Sequence, residues 1–262
     1  LTGGEPLVRK DAADIIQKLS KLPVELTITT NATRIDHHLE SLLNSSIRSI
    51  NVSLDTLQKD KFIFLTKRDL FDKVLDNINL LIKHQFHVKI NVVTIKGIND
   101  NEINSFVEWT KTKPIHVRFI EFMPFDGNKW NSSKVLTMKE ILAIIGKKYN
   151  YSKIQDAKND TAKNYHINGH CGTFAIISTM SEAFCGTCNR IRLTADGKLK
   201  NCLFSDNETD ILTPLRNGWD ITPLIHENIF SKKKALGGQF DNFIENIDSQ
   251  LIKNRSMITI GG

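Results

Sequence analysis

"VKINVVTIKGINDNEINSFVEWTKTKPIHVRFIEFMP" (residues 88–124) carries the pattern that decides the fold. A short β-rich apolar run (88–95) gives way to helical periodicity in "NDNEINSFVEWTK", and a second β-rich run, "IHVRFIEFMP" (115–124), closes the stretch. Strand, helix and strand in so short a span form a βαβ unit. The alternation extends upstream. "VELTITTN" (24–31) precedes helical "IDHHLESLLN", and "IRSINVSLD" (47–55) precedes "TLQKDKFIFL" and "LFDKVLDNINLLIKHQF". Repeated alternation predicts an α/β domain on a parallel sheet. The strands read as nearly continuous in apolar residues, which predicts that both sheet faces are covered.

Polar residues gather where each strand stops: Thr29, Thr30 and Asn31, then Ser53 and Asp55, then Glu121, with Met123 close behind. Asn, Ser and Asp at such positions also cap helices. Their recurrence at successive strand ends instead marks the carboxyl rim, where parallel α/β folds bind ligands. After "FMPFDGNKWN" the pattern changes. "TMKEILAIIGKKY" reads as a helix, "YSKIQ", "KNYHI" and "CGTFAIIST" as short strands, and "TPLRNGWDITPLIHENIFSKKK" and "DNFIENIDSQ" as charged helical stretches. These features predict a domain over 1–125 and a smaller α+β domain over 126–262.

With 262 residues, 40% of them hydrophobic, the chain can bury a sizeable core. Apolar stretches such as "FAIIS" fall far short of a membrane span, so no membrane contact is expected, and the protein is expected to be cytoplasmic. Lys and Arg exceed Asp and Glu, 35 against 29, but the excess is spread along the chain. It suits a phosphorylated small molecule as well as nucleic acid. "LTGGEPL" reads as a strand end entering a turn, and the chain starts at Leu1 rather than Met, so further sequence upstream is expected.

Three of the four cysteines lie in "AFCGTCNRIRLTADGKLKNCLF" (183–204). Cys185 and Cys188 form a CxxC, and "RIRL" and "KLKNC" flank an Asp196-Gly197 turn as a hairpin that returns Cys202 towards them. Convergent thiols predict a metal centre. With Cys171 the set is a four-cysteine structural zinc site. With three cysteines a four-iron cluster keeps one iron open for substrate. Arg190 and Arg192, two apart on a strand, leave the same face and form a cationic fork suited to phosphate.

"LTGGEPLVRKD", "TTN", "NVSLD", "VKINVV", "RFIEFMP", "FCGTCNRIRLTADGKLKNCL" and the terminal Gly-Gly together resemble the GTP 3',8-cyclase family. These are radical S-adenosylmethionine lyases that open molybdenum cofactor (molybdopterin) biosynthesis. The resemblance runs from Gly3 to Gly262. It implies an incomplete (β/α)6 barrel of TIM-like kind with a first 4Fe–4S cluster on CxxxCxxC, and a C-terminal domain with a second 4Fe–4S cluster on three cysteines. Members reduce S-adenosylmethionine to a 5'-deoxyadenosyl radical, which takes hydrogen from C3' of the GTP ribose. The carbon radical then attacks guanine C8, and 3',8-cyclo-7,8-dihydro-GTP passes to cyclic pyranopterin monophosphate synthase. A homodimer is compatible with the resemblance.

By the same resemblance, Gly4, Ser53 and Met123 contact S-adenosylmethionine. Thr29, Lys89, Arg190, Ile191 and Arg192 contact GTP. Arg118 and the tail residues Gly261 and Gly262 serve the active site, and Cys185, Cys188 and Cys202 hold the cluster. The sequence departs from the pattern in having no CxxxCxxC, which is expected upstream of Leu1. Ala32 stands where the family has glycine, the "FDGNKW" loop is short, and Cys171 is extra. Two other readings compete: a radical S-adenosylmethionine enzyme acting on a peptide, and a zinc-stabilised nucleic-acid-binding module.

Overall fold

The β-rich runs of the first half become consecutive strands of one sheet in the computed structural model, which describes residues 1–239 and 254–257. Helix α1 (Ala12–Leu19) leads into β1 (Thr27–Thr30), α2 (Ile35–Leu43), β2 (Ser49–Ser53), α3 (Lys59–Thr66), α4 (Phe71–Lys83), β3 (His87–Thr94), α5 (Ile103–Thr112) and β4 (Ile115–Glu121). Then come α6 (Met138–Gly146), β5 (Tyr151–Lys153), β6 (Lys163–Ile167) and β7 (Thr173–Ile177). The sheet runs β1-β2-β3-β4-β7-β6-β5. All pairings from β1 to β7 are parallel, while β6 and β5 add antiparallel. Among the described residues the sheet is open, not a closed barrel. Leu1 extends it by one residue, its N-terminus donating to Thr27 O at 2.6 Å and its carbonyl accepting from Thr29 N at 2.8 Å.

The sheet passes straight through residue 125. β7 lies against β4 with Val117 opposite Phe174, so three strands from the second half complete the layer begun by the first. Pairing is non-local here: an apolar strand is buried best beside the β4 edge, wherever it falls in the chain.

One face of the sheet is apolar. Ile28, Ile50, Val52, Val88, Ile90, Val117, Phe119 and Phe174 meet Ile16, Ile35, Leu42, Ile78, Leu81, Phe106, Val107 and Ile145 of the helices in a single core. In α4 the buried Phe71, Val74, Ile78 and Leu81 keep helical spacing, which is why that run folds as a helix on the sheet. The opposite face does not match the expectation of near-continuous apolar strands. β3 and β4 alternate strictly, and their second faces carry His87, Lys89, Asn91, His116 and Arg118. Helices cover one face and polar chemistry occupies the other.

The rest of the chain forms a three-stranded antiparallel sheet: β8 (Arg192–Leu193), β9 (Lys198–Lys200) and β10 (Thr209–Asp210), ordered β10-β9-β8. Short α7 (Leu212–Arg216) and α8 (Thr222–Phe230) follow. "DNFIENIDSQ" (241–250) lies outside the described residues. A second core joins this module to the carboxyl ends of β3 and β4: Phe122, Phe125, Trp130, Val135, Met180, Phe204 and Leu236 pack together, with Val93, Met123, Cys185, Cys202 and Met257 against them.

Candidate functional site

Strand register places the polar side chains in rows. Thr29, Asn51, Lys89, His116 and Thr173 lie opposite one another across β1, β2, β3, β4 and β7. Ser53, Asn91 and Arg118 form the next row towards the rim. Arg118 Nε donates to Asn91 Oδ1 and Nη2 to Asn51 Oδ1, both at 2.8 Å, while Asn51 Nδ2 donates to Thr29 Oγ1 at 3.1 Å. Asn51 and Asn91 drew no notice in the sequence. The period-two alternation of "SINVS" and "KINVV" was the available signal.

The rows are cationic. Burial lowers the Arg118 pKa to about 10. Burial, then the Arg118 charge, lowers that of Lys89, with Glu25 and Asp160 pulling weakly the other way. His116 falls to about 3, through burial and then the charges of Arg118, His87 and Lys89. Its Nδ1 lies 2.7 Å from Thr173 Oγ1. Among the described residues no carboxylate forms a salt bridge with Lys89 or Arg118.

The residues expected to contact S-adenosylmethionine occupy the carboxyl rim. Gly4, at φ +46°, sits in a left-handed turn that glycine adopts freely. The turn is tied to the end of β1 by Glu5, whose carboxylate accepts from Thr30 Oγ1 at 2.7 Å and from Asn31 N at 2.6 Å. Ser53 ends β2 and is exposed. Met123 follows β4, its carbonyl accepting from Asn128 Nδ2 at 2.7 Å, so the short "FDGNKW" loop folds back onto it. Ala32 adopts φ +59° and is buried, its carbonyl accepting from Asn77 Nδ2 at 2.7 Å. Glu121, one of the polar strand-end residues that marked the rim, is fully buried at the end of β4. It accepts from Met138 N at 3.2 Å, Met180 N at 2.8 Å, Ser181 N at 2.9 Å and the Ser181 hydroxyl. Burial raises its pKa against those hydrogen bonds.

The segment leaving Ser181 reaches the cysteines. Cys185 opens a 3-10 turn (Cys185–Thr187), Cys188 caps it, and the β8–β9 hairpin delivers Cys202, pairing Arg192 with Lys200. All three thiols are half-buried. Arg190 Nη2 donates to Cys188 Sγ at 3.4 Å, and the Arg190 guanidinium lies 4.7 Å from the Phe184 ring centroid. Burial pushes the Cys188 thiol up, but hydrogen bonds from the Arg190 backbone and from the Arg190 and Lys232 side chains outweigh it and bring the pKa to about 7. Arg190 precedes β8 and is exposed, whereas Arg192 is in β8 and half-buried. Burial and the Arg190 charge lower the Arg192 pKa, and Cys202 raises it, so both guanidiniums sit within electrostatic range of the thiols. Ile191 between them is 48% exposed.

Cys171 is elsewhere. It is exposed before β7, and its N–H donates to Lys111 O. β7 runs parallel to β4, so this is the amino end of the sheet, opposite the rim where the other cysteines dock. The four-cysteine zinc set is therefore not assembled. Among the described residues no three His, Cys, Asp or Glu gather closely enough for a single metal ion. A cubane spreads its thiolates over separate irons, and three half-buried thiols, two of which accept N–H hydrogen bonds at sulfur, are a donor set that fits it. Gly261 and Gly262 lie outside the described residues. No helix among the described residues is long and apolar enough to cross a membrane.

The chain also matches known proteins in sequence. Residues 1–110 match the Radical SAM superfamily and residues 115–237 match Molybdenum Cofactor Synthesis C. The chain is 44% identical to the mitochondrial GTP 3',8-cyclase of Arabidopsis thaliana, covering 100% of this chain and 67% of that protein. It is 38% identical to the GTP 3',8-cyclase of Alkaliphilus oremlandii, covering 100% and 80%. With the Homo sapiens Molybdenum cofactor biosynthesis protein 1 it shares 41% identity over 99% of this chain and 41% of that longer protein. Matches of this extent, spanning the whole chain, place it in the GTP 3',8-cyclase family.

Proposed function

We propose that the chain forms the substrate-binding body of a GTP 3',8-cyclase, converting GTP to 3',8-cyclo-7,8-dihydro-GTP at the start of molybdenum cofactor biosynthesis. The observation that carries this reading is Arg118, a half-buried cation braced by the neutral amides of Asn51 and Asn91, with half-buried Lys89 beside it and no salt bridge to either among the described residues. Such a site is stabilised by a bound polyanion.

Thr29, Lys89 and Arg118 hold the GTP phosphates and ribose on the polar sheet face, and Arg190, Ile191 and Arg192 hold the nucleotide where it nears the thiols. Gly4, Ser53 and Met123 receive S-adenosylmethionine along the rim: Gly4 by close backbone approach, Ser53 by a polar contact, Met123 by apolar packing. Cys185, Cys188 and Cys202 hold a 4Fe–4S cluster, and an upstream CxxxCxxC holds the other. When bound, the upstream cluster supplies the electron that cleaves S-adenosylmethionine, and the three-cysteine cluster supplies an open iron for the guanine base. The asparagine-braced Arg118 stays fixed while charge shifts on the nucleotide, which spares reorganisation during reaction. Gly261 and Gly262 serve the active site. The product passes to cyclic pyranopterin monophosphate synthase. A cytoplasmic address competes with a mitochondrial one, which the Arabidopsis relative's name carries; cell fractionation decides.

The test is anaerobic reconstitution of the chain with iron and sulfide, followed by GTP titration. Bound iron and a cluster spectrum that GTP perturbs are expected, with the response lost in Lys89→Met and Arg118→Met. A colourless zinc protein, or a cluster indifferent to GTP, overturns the reading. Product formation is assayed on the full-length gene product with S-adenosylmethionine and a reductant.

A further inference from the structure

The segment after α8 carries chemistry that the sequence reading passed over as a charged helical run. Lys232 Nζ donates to Cys188 Sγ at 3.2 Å, to Cys188 O at 3.1 Å and to Arg190 O at 3.0 Å. Four residues on, the Leu236 N–H donates to Cys185 Sγ at 3.4 Å. One short strap thus reaches two of the three thiols and the backbone of the arginine beside them.

The strap is pinned at both ends. On one side Asn201 Nδ2 donates to Asn228 O at 2.7 Å and to Ser231 Oγ at 3.1 Å, fixing the end of α8 against the hairpin. On the other, Gly237 is buried at φ +68°, where a Cβ would lie 2.5 Å from the Phe204 carbonyl carbon, and the Gln239 amide donates to Phe204 O. Only glycine permits that backbone approach. Lys233 and Lys234 are exposed, whereas Lys232 is half-buried and spends its three donors on this one spot.

We propose that residues 232–236 form a sulfur-donor strap for the three-cysteine cluster, with Lys232 as the positioning residue that locks the Cys188 thiolate and the Arg190 backbone into one unit. The proposal rests on the cluster assignment made above. Hydrogen bonds and positive charge at thiolate sulfur stabilise the reduced, more negative cluster and raise its potential. Tying Arg190 to the same ammonium sets the distance between cluster and nucleotide.

The experiment compares the reconstituted chain with Lys232→Met, Lys232→Arg and Lys234→Met by iron content, redox titration followed by electron paramagnetic resonance, and GTP affinity. In Lys232→Met the midpoint is expected to move negative and the GTP dissociation constant to rise about tenfold, as the Arg190 it positions loses its charge-assisted contact to the nucleotide. Lys232→Arg should recover both in large part, and Lys234→Met should match the parent. Iron lost from Lys232→Met alone also supports the strap. Parental midpoint and affinity in Lys232→Met, or equal impairment in Lys234→Met, overturns it. A parent whose cluster ignores GTP refutes the functional reading instead, and the midpoint comparison still tests the strap.

Discussion

Arg118 on β4 reaches across β3 to Asn51 on β2, its Nη2 2.8 Å from the amide oxygen, while its Nε engages Asn91 on the strand between. Three adjacent strands therefore aim one guanidinium, and both acceptors are neutral. Replacing Arg118 with Met is expected to raise the GTP dissociation constant more than tenfold. Folding stability should change by less than about 2 kcal/mol, because relief of the desolvated charge offsets the two lost hydrogen bonds. Lys at this position should not restore binding, since an ammonium cannot span both amides. Calorimetric titration and urea unfolding check the pair of outcomes, and retained GTP affinity in the Met variant contradicts the assigned role.

Cys171→Ser should keep the full iron content of the parent, whereas serine at Cys185, Cys188 or Cys202 should lose the cluster. Cys171 is exposed at the amino end of β7, whereas Cys185 and Cys202 pack in the core at the carboxyl rim and Cys188 closes the turn that Cys185 opens. Iron analysis after anaerobic reconstitution is enough. Loss of iron with Cys171 would mean that the cysteine module docks elsewhere.

Glu121→Gln is expected to cost about 2–3 kcal/mol. The buried carboxylate accepts from four groups on two separate segments, and an amide NH2 would confront one set of donors while leaving them unsatisfied. The damage should extend to the cysteines, because Met180 and Ser181 lead directly into their loop. Slower or partial cluster uptake together with reduced urea resistance is the expected result. A variant as stable as its parent argues that the segment is held by the second core alone.

The α/β alternation was legible because each helix keeps an apolar stripe and each strand a compact apolar run; "VELTITTN" brackets β1 and "IHVRFIEFMP" brackets β4. The cysteine hairpin was legible for a local reason too, its turn being encoded in adjacent residues. What escaped was non-local. No local pattern announces that Asn51 and Asn91 will meet Arg118, that β7 inserts beside β4, or that Lys232 returns to Cys188 from 44 positions away. The polar sheet face was a different kind of omission. "HVKINVV" and "IHVRFIE" alternate visibly, but β-branched residues on the apolar face dominated the reading. Once β7 is seen to run parallel to β4, Cys171 falls at the wrong end of the sheet for the other thiols.

Burial, and then the charges of Arg118, His87 and Lys89, make stability depend on pH through His116. Its pKa is about 3 in the folded chain, against 6.5 for the free side chain, so between those values the unfolded state binds a proton that the folded state refuses. Stability must then rise with pH across that window, and it is lost as pH falls below 6.5, by up to about 1.4 kcal/mol per unit. Asp55 works in the opposite sense. Burial raises its carboxyl to about 6, against the Val93 N–H that it accepts, so its contribution is present at low pH and lost as pH rises towards 6. The parent's net profile therefore mixes both groups, and the informative quantity is a difference. His116→Gln keeps a polar side chain able to meet Thr173 but cannot titrate. Measured by urea unfolding at pH 7, 6 and 5, the variant should gain on its parent step by step as the pH falls. A gap that stays constant over those three values would show that His116 protonates freely in the folded chain, and with it that neither burial nor the neighbouring charges of Arg118 and Lys89 hold its proton off.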